Sequence, residues 1–172
     1  MIRILAIVSL VAIATSAGAA APTPPSTSPA VEPALQQCIE ASLTPESPGE
    51  QAAPNITDCI SVGSNACQND SGGGSSNAAV VKCDGEEQAF WDSLTAFEYG
   101  ELQTTLKGDA LAALKRAQKT WAPWRDARCD LVKQSEAHVA NVDIDVSYCQ
   151  MDTSAQRAID LMQALTDQGN QG

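Results

Sequence analysis

Apolar positions along the chain fall into five stretches, one continuous, three of helical period and one alternating. Ile4 to Ala14 is apolar apart from Ser9 and too short to span a bilayer. From Asp84 the spacing opens: Trp91, Leu94, Phe97, Tyr99, Leu102 and Leu106 recur every two to four residues, which predicts an amphipathic helix over 84–106. Glu86 and Glu87 suit its first turn, Lys107 its end, and Gly108 stops it. A second helical face follows, made of Leu111, Leu114, Ala117, Trp121 and Trp124 and then Arg125 or Arg128, capped by Asp109 and running to about His138. Pro123 inside it predicts a kink near Lys119. Two such helices joined by a tight Gly-Asp turn form an antiparallel hairpin.

After the hairpin the pattern changes period. Asn141-Val-Asp-Ile-Asp-Val-Ser147 alternates apolar and acidic residues, which reads as an extended segment. Asp143 and Asp145 lack the glycine and terminal glutamate of a calcium loop and are read as a solvated face. A third helix is expected from Thr153, where Thr153-Ser-Ala-Gln156 matches a capping box, through Leu161, Met162 and Leu165. Upstream of Asp84 the pattern is weak. Pro22 to Pro33 reads as a tether, a helical turn is expected over 34–41, and 47–54 is loop. A turn is expected between Cys59 and Cys67, and Ser71-Gly-Gly-Gly-Ser-Ser-Asn77 is a connector without the lysine of a phosphate-binding loop. The organisation expected is a signal peptide over 1–20, a flexible linker over 21–34, a loop-rich cysteine segment over 35–82 and an all-α helical domain over 83–168. The fold class is a small disulfide-bonded helical domain, an antiparallel hairpin plus a C-terminal helix.

Composition adds compartment and charge. Arg3 ahead of the apolar run, and Ala17-Gly-Ala-Ala-Ala21 after it, have the layout of an export signal cleaved after Ala19 or Ala20, so a periplasmic or secreted location is expected, with no stable membrane insertion after cleavage. The formal charge is −11, and removal of Arg3 makes it −12. Self-repulsion excludes nucleic acid as a partner and favours a cationic protein. Six cysteines, Cys38, Cys59, Cys67, Cys83, Cys129 and Cys149, imply three disulfides in an oxidising compartment. No Cys-x-x-Cys pair exists and His138 is the only histidine, so neither a metal nor a cofactor is expected. On the hairpin, Cys129 and Cys149 both lie at the open end and form the preferred pair, with Cys83–Cys129 as its rival. Proximity then pairs Cys67 with Cys83 and Cys38 with Cys59.

The densest chemistry is Trp121-Ala-Pro-Trp-Arg-Asp-Ala-Arg-Cys129. Trp121, Arg125 and Cys129 fall on one helical face, as a clasp in which Trp121 packs, Arg125 pairs with a carboxylate such as Asp92 or Glu98, and Cys129 ties down the third helix. Asp126 is assigned a local role, capping or pairing with Arg128. No nucleophile stands at motif spacing from His138, and acid pairs such as Asp126 and Asp130 are ordinary on helices, so no catalytic residue is assigned.

The run Leu114-Lys-Arg-Ala-Gln-Lys-Thr-Trp121-Ala-Pro-Trp-Arg125-Asp126-Ala-Arg-Cys129, then Cys149 and Thr153-x-x-x-Arg157-x-x-x-Leu161, resembles the LprI-like lysozyme inhibitor domain family. The likeness covers about Cys67 to Leu165. Two places depart from the family pattern. Leu-Asn-x-x-Tyr is here Leu94-Thr-Ala-Phe-Glu-Tyr99, and a Gly-Gly between the last two helices is replaced by Val-Asp-Ile-Asp-Val. The resemblance implies a small, helical, exported, disulfide-bonded domain. Lysozyme inhibition, by some members only, is the activity it implies, and a cationic lysozyme the partner. The alternative is an envelope interaction or stress protein on the same scaffold.

Overall fold

The structure, a computed structural model, describes residues 28–44, 54–70 and 76–169. The export signal, the first half of the tether and the glycines of the 71–77 connector lie outside the described residues, and the end of the tether is the start of α1. Five α-helices and one 3-10 turn make up the described chain: α1 (Val31–Leu43), the turn Ile56–Cys59, α2 (Val62–Asp70), α3 (Asn77–Thr105), α4 (Gly108–Ser135) and α5 (Val142–Gly169). The described part is all-α and cross-linked by three disulfides, Cys38–Cys59, Cys67–Cys83 and Cys129–Cys149.

Helix α3 begins seven residues earlier than its apolar spacing suggests. Ser76 caps it, its hydroxyl accepting the Ala79 amide at 3.2 Å. Its 29 residues make a rod about 43 Å long. Glu87 is therefore not a first-turn residue. It lies near the middle of the rod, on the buried face with Cys83, Asp84, Trp91, Thr95, Glu98 and Leu102. Phe97, expected on the apolar face, points to solvent at 62% exposure.

Helix α4 starts at Gly108, whose φ of +54° no side chain obstructs. Its N-cap residue is Lys107, with no side-chain cap, and Asp109 sits in the first turn. The helix runs through Pro123 to Ser135. Helix α5 overturns the extended reading of Asn141 to Ser147, because it starts at Val142 and absorbs that segment into its first turns. Asp143 and Asp145 then lie where the positive end of the helix dipole favours acids, and Ser147 turns inward to bond a buried carboxylate. Thr153 is no cap either. It lies three turns inside α5, and its hydroxyl donates to the Cys149 carbonyl at 2.6 Å.

Helices α3 and α5 run parallel. Asn77 bonds Asn141 at 2.7 Å and Asp84 accepts from Ser147 at 2.8 Å, so paired positions stay 64 and 63 residues apart along the two rods. Buried Ser147, Thr153, Ser154, Ala155 and Ala158 give α5 a small-residue face that lets α3 approach closely along its length. Helix α4 lies antiparallel to α5, with Cys129 against Cys149, Arg125 against Ser154 and Gln118 against Arg157. The expected hairpin turn is present, but α4 leans on α5 and meets α3 only sparsely. The third helix is thus the central one.

On the opposite side of α3, the α1 and α2 helices close the core around Val31, Leu35, Trp91, Met151 and Ile159. The turn expected between Cys59 and Cys67 is instead mostly helix α2, and the 34–41 turn is the middle of α1. Gly63 permits the crossing: a Cβ there would lie 2.9 Å from both Leu35 Cδ1 and Val31 Cγ1.

Candidate functional site

Three places on this fold bring chemistry together. The first is the Trp121–Cys129 clasp. The Arg125 guanidinium donates through one nitrogen to Asp92 Oδ1 at 3.1 Å and to the Ser154 hydroxyl at 3.0 Å, and through Nε to Asp126 at 3.2 Å. Its carbon stands 4.9 Å from the centre of the Trp121 ring. One side chain of α4 is thus tied to α3 and α5 at once, with Asp92 rather than Glu98 as the inter-helix carboxylate. Asp126 pairs with Arg125 and not with Arg128, which lies over Trp124 at 5.7 Å. One step further along, Arg157 grips the Gln118 side-chain oxygen with two nitrogens at 3.1 and 2.9 Å. Burial away from water lowers the Arg157 pKa below its ordinary value, and Asp160 opposes the shift. Trp121, Arg125, Asp126 and Arg157 therefore lie along the α4–α5 seam, and the two guanidinium groups donate to partners within the protein. Thr153 shares that region but spends its hydroxyl on its own helix.

The second place is a buried polar network that hydropathy patterning does not flag. Glu87 is fully buried. Its carboxylate accepts the Ser61 amide at 2.8 Å, the Ser64 amide at 2.6 Å and the Trp91 indole N–H at 2.8 Å. The two amides belong to the start of α2, so a side chain of α3 caps another helix from outside. Ser61 is held at φ 75° to present its amide, a strained conformation for a residue with a side chain. One turn away, Asp84 accepts the hydroxyls of Ser64 at 2.6 Å and Ser147 at 2.8 Å, so α2, α3 and α5 meet on two carboxylates. Burial pushes the Glu87 carboxyl above its ordinary range; the three donated hydrogen bonds oppose this, and nearby Asp84 adds to it. The sequence signal was the Asp84, Glu87, Trp91 spacing, which sets both acids on the face of the tryptophan.

The third place is a surface groove of about 580 Å³ where the end of α1 and the 3-10 turn meet the C-terminal half of α5. Leu43, Ile56, Met162 and Leu165 give it an apolar floor beside Glu98. Burial, and then the charge of Glu101, raise the Glu98 carboxyl above its usual range. His138 is exposed in the loop between α4 and α5. Among the described residues no cluster of His, Cys, Asp and Glu could hold a metal ion, and no helix is long and apolar enough to cross a membrane.

These places differ in how they relate to known proteins. No curated protein and no solved structure matches the chain. The family model described as lysozyme inhibitor LprI matches residues 67–161, more than half of the chain. The match runs from Cys67 in α2 to Leu161 in α5, so it takes in the clasp, the Asp84–Glu87 pair and the Cys67–Cys83 and Cys129–Cys149 disulfides, and leaves out α1 and most of the groove lining. A chain that carries this pattern along α3, α4 and α5 belongs to the LprI lysozyme inhibitor family.

Proposed function

We propose that this chain is an exported, non-enzymatic binding protein that inhibits a lysozyme or a related cell-wall hydrolase. The observation that carries the reading is the family match across all three long helices. Three further features support it. The clasp and the buried network use their polar groups on one another, which fits a rigid scaffold better than a reacting centre. Three disulfides suit a periplasmic or secreted location, as does the Arg3 to Ala21 export signal read from the sequence. A formal charge of −11 steers the chain toward a basic enzyme, with association that weakens as salt rises.

The test is inhibition of a panel of lysozymes by the oxidised chain at low and at physiological ionic strength. Salt-sensitive inhibition of at least one member is expected. No inhibition of any member, with an envelope protein captured instead, would replace this reading with that of an envelope interaction protein on the same scaffold.

A further inference from the structure

The charge of this acidic protein is unevenly placed. Helix α4 carries six Lys and Arg (Lys115, Arg116, Lys119, Arg125, Arg128, Lys133) against Asp109, Asp126 and Asp130. It is thus a +3 element on a chain of −11, and all the other residues together carry −14. Of the six cations only Arg125 forms an ion pair. The other five are exposed and form no ion pair among the described residues, although the chain has 21 acidic side chains. Burial is just as uneven. Cys129 is the one buried residue of the 28 in α4.

The outward side of α4 is patterned. Arg116, Thr120, Trp124 and Arg128 follow one another at four-residue steps along a single ridge, and Leu131 lies on the next turn. Trp124 and Leu131 are 54% and 66% exposed, and the Arg128 guanidinium rests over the Trp124 ring. Tyr148, half exposed, is the neighbour of Cys149 and so lies at the same end of the helix as Cys129. An exposed tryptophan with the guanidinium of Arg128 over its ring, on a helix pinned from behind, is a preorganised contact surface.

We infer that the outward ridge of α4, centred on Trp124 and Arg128, is the docking surface, and that its partner is the carboxylate-lined, sugar-binding cleft of a cell-wall glycosidase. This rests on the reading of the chain as a hydrolase inhibitor and adds to it the surface and the point of attack. Charge complementarity selects the partner. Glycosidase clefts hold a pair of carboxylates set for acid–base work, which guanidinium groups match in charge and geometry. Subsites built for sugar rings accept an amphipathic indole. The ridge from Arg116 to Arg128 is about 18 Å long, enough to lie along a cleft rather than touch one point. A basic enzyme with an acidic cleft is complementary twice over, to the −14 of the body and to the +3 of α4. A second copy of this chain would bring its own −11, and that repulsion disfavours self-association as the use of this face.

The experiment measures the inhibition constant of the oxidised wild-type chain, then of Trp124→Ala, Arg128→Glu and Arg116→Glu, against the lysozyme it inhibits best. Because these side chains are exposed, circular dichroism and melting temperature should stay at wild-type values. The control is Gln36→Glu with Gln37→Glu on α1, which lowers net charge by two as Arg128→Glu does, but far from the ridge in sequence and on a different helix. Weakening of about tenfold or more is expected for Trp124→Ala and Arg128→Glu, little change for the control, and competition between wild-type chain and a chitooligosaccharide for the enzyme. Inhibition that survives both ridge variants, or weakens equally in the control, overturns the surface while leaving the inhibitor reading intact. Absence of wild-type inhibition overturns both. A salt-sensitive dimer abolished by Arg128→Glu would give the face to a second copy and overturn the hydrolase assignment.

Discussion

Helices α3 and α4 are almost equal in length and differ in nearly every physical respect. α3 buries two carboxylates and a tryptophan among hydrogen-bond donors from α2 and α5. α4 buries one cysteine and is held by three point attachments: the Cys129–Cys149 disulfide, the Arg125 hub and the Arg157–Gln118 pair. A helix packed along its whole length gains stability from area. A helix fastened at points gains position, and its remaining surface stays available for a partner. The contrast explains how an acidic protein keeps a cationic helix without neutralising it.

The largest effect should come from the α3 side. Glu87→Ala removes one acceptor group, strands the Ser64 amide and the Trp91 indole N–H in the buried interior, and leaves the half-buried Ser61 amide without its acceptor. A loss of about 3 to 5 kcal/mol is expected, read as a lowered midpoint in urea unfolding. Loss under 1 kcal/mol would mean that water reaches those donors, and the distinction between a packed and a pinned helix would fade. Next comes the pin itself. Replacing Cys129 and Cys149 together by alanine should cost roughly 2 to 4 kcal/mol. Hydrogen exchange should then rise in α4 before it rises in α3. Equal acceleration in both helices would break the comparison.

The clasp was legible in sequence because it needs only helical spacing and a turn. Trp121, Arg125 and Cys129 repeat every fourth residue, and Gly108 fixes where the chain reverses; that narrows Cys129 to Cys149 or Cys83 and Arg125 to Asp92 or Glu98, and the structure takes the first of each. The buried network was not legible by the same means. Glu87 is polar, and hydropathy patterning assigns such a residue to the surface or to a helix start. Only the crossing of α2, made possible by Gly63, turns it into a cap. The Asn141 to Ser147 segment misled for a related reason. Alternation of Val142, Ile144 and Val146 with Asp143 and Asp145 has the period of a strand, yet the tertiary demand for Ser147 against Asp84 and the dipole preference of the two acids make it helix. Local pattern loses where a distant acceptor is waiting. The outward ridge of α4 was not legible: the spacing sets Trp124 on the apolar face with Trp121 as a packing residue, yet it is 54% exposed because α4 leans on α5 and meets α3 only sparsely.

Arg125→Ala sharpens the comparison at a smaller scale. The guanidinium is mostly shielded, but Asp92 is open enough to water for solvent to screen the pair. A loss of about 1 to 2 kcal/mol is expected, less than for Glu87→Ala although Arg125 makes as many polar contacts. If the chain inhibits a lysozyme as proposed, that inhibition should fall only as far as α4 loosens. A loss of inhibition with an unchanged melting temperature would move Arg125 from the clasp to the contact surface.

The smallest effect is a pH dependence to which two carboxyl groups of α3 contribute. Glu87 and Glu98 both have carboxyl pKa values raised above 4.5 by burial. The folded chain then holds protons on these groups more tightly than the unfolded chain does, so each contributes a destabilising term that is complete above its folded pKa. As pH falls from 7 through the raised values toward 4.5 the folded state takes up protons first, and the term is progressively removed. Below 4.5 both states are protonated and no further gain follows from these two groups. The melting temperature should therefore rise modestly on mild acidification, helped by relief of the net negative charge. Glu98→Gln should remove part of the rise with little other cost, because the Glu98 carboxyl borders the surface groove and, among the described residues, accepts no hydrogen bonds like those of Glu87. If Glu98→Gln leaves the slope of melting temperature against pH as steep as in the wild-type chain, the dependence comes from net charge, and the Glu98 carboxyl does not set it.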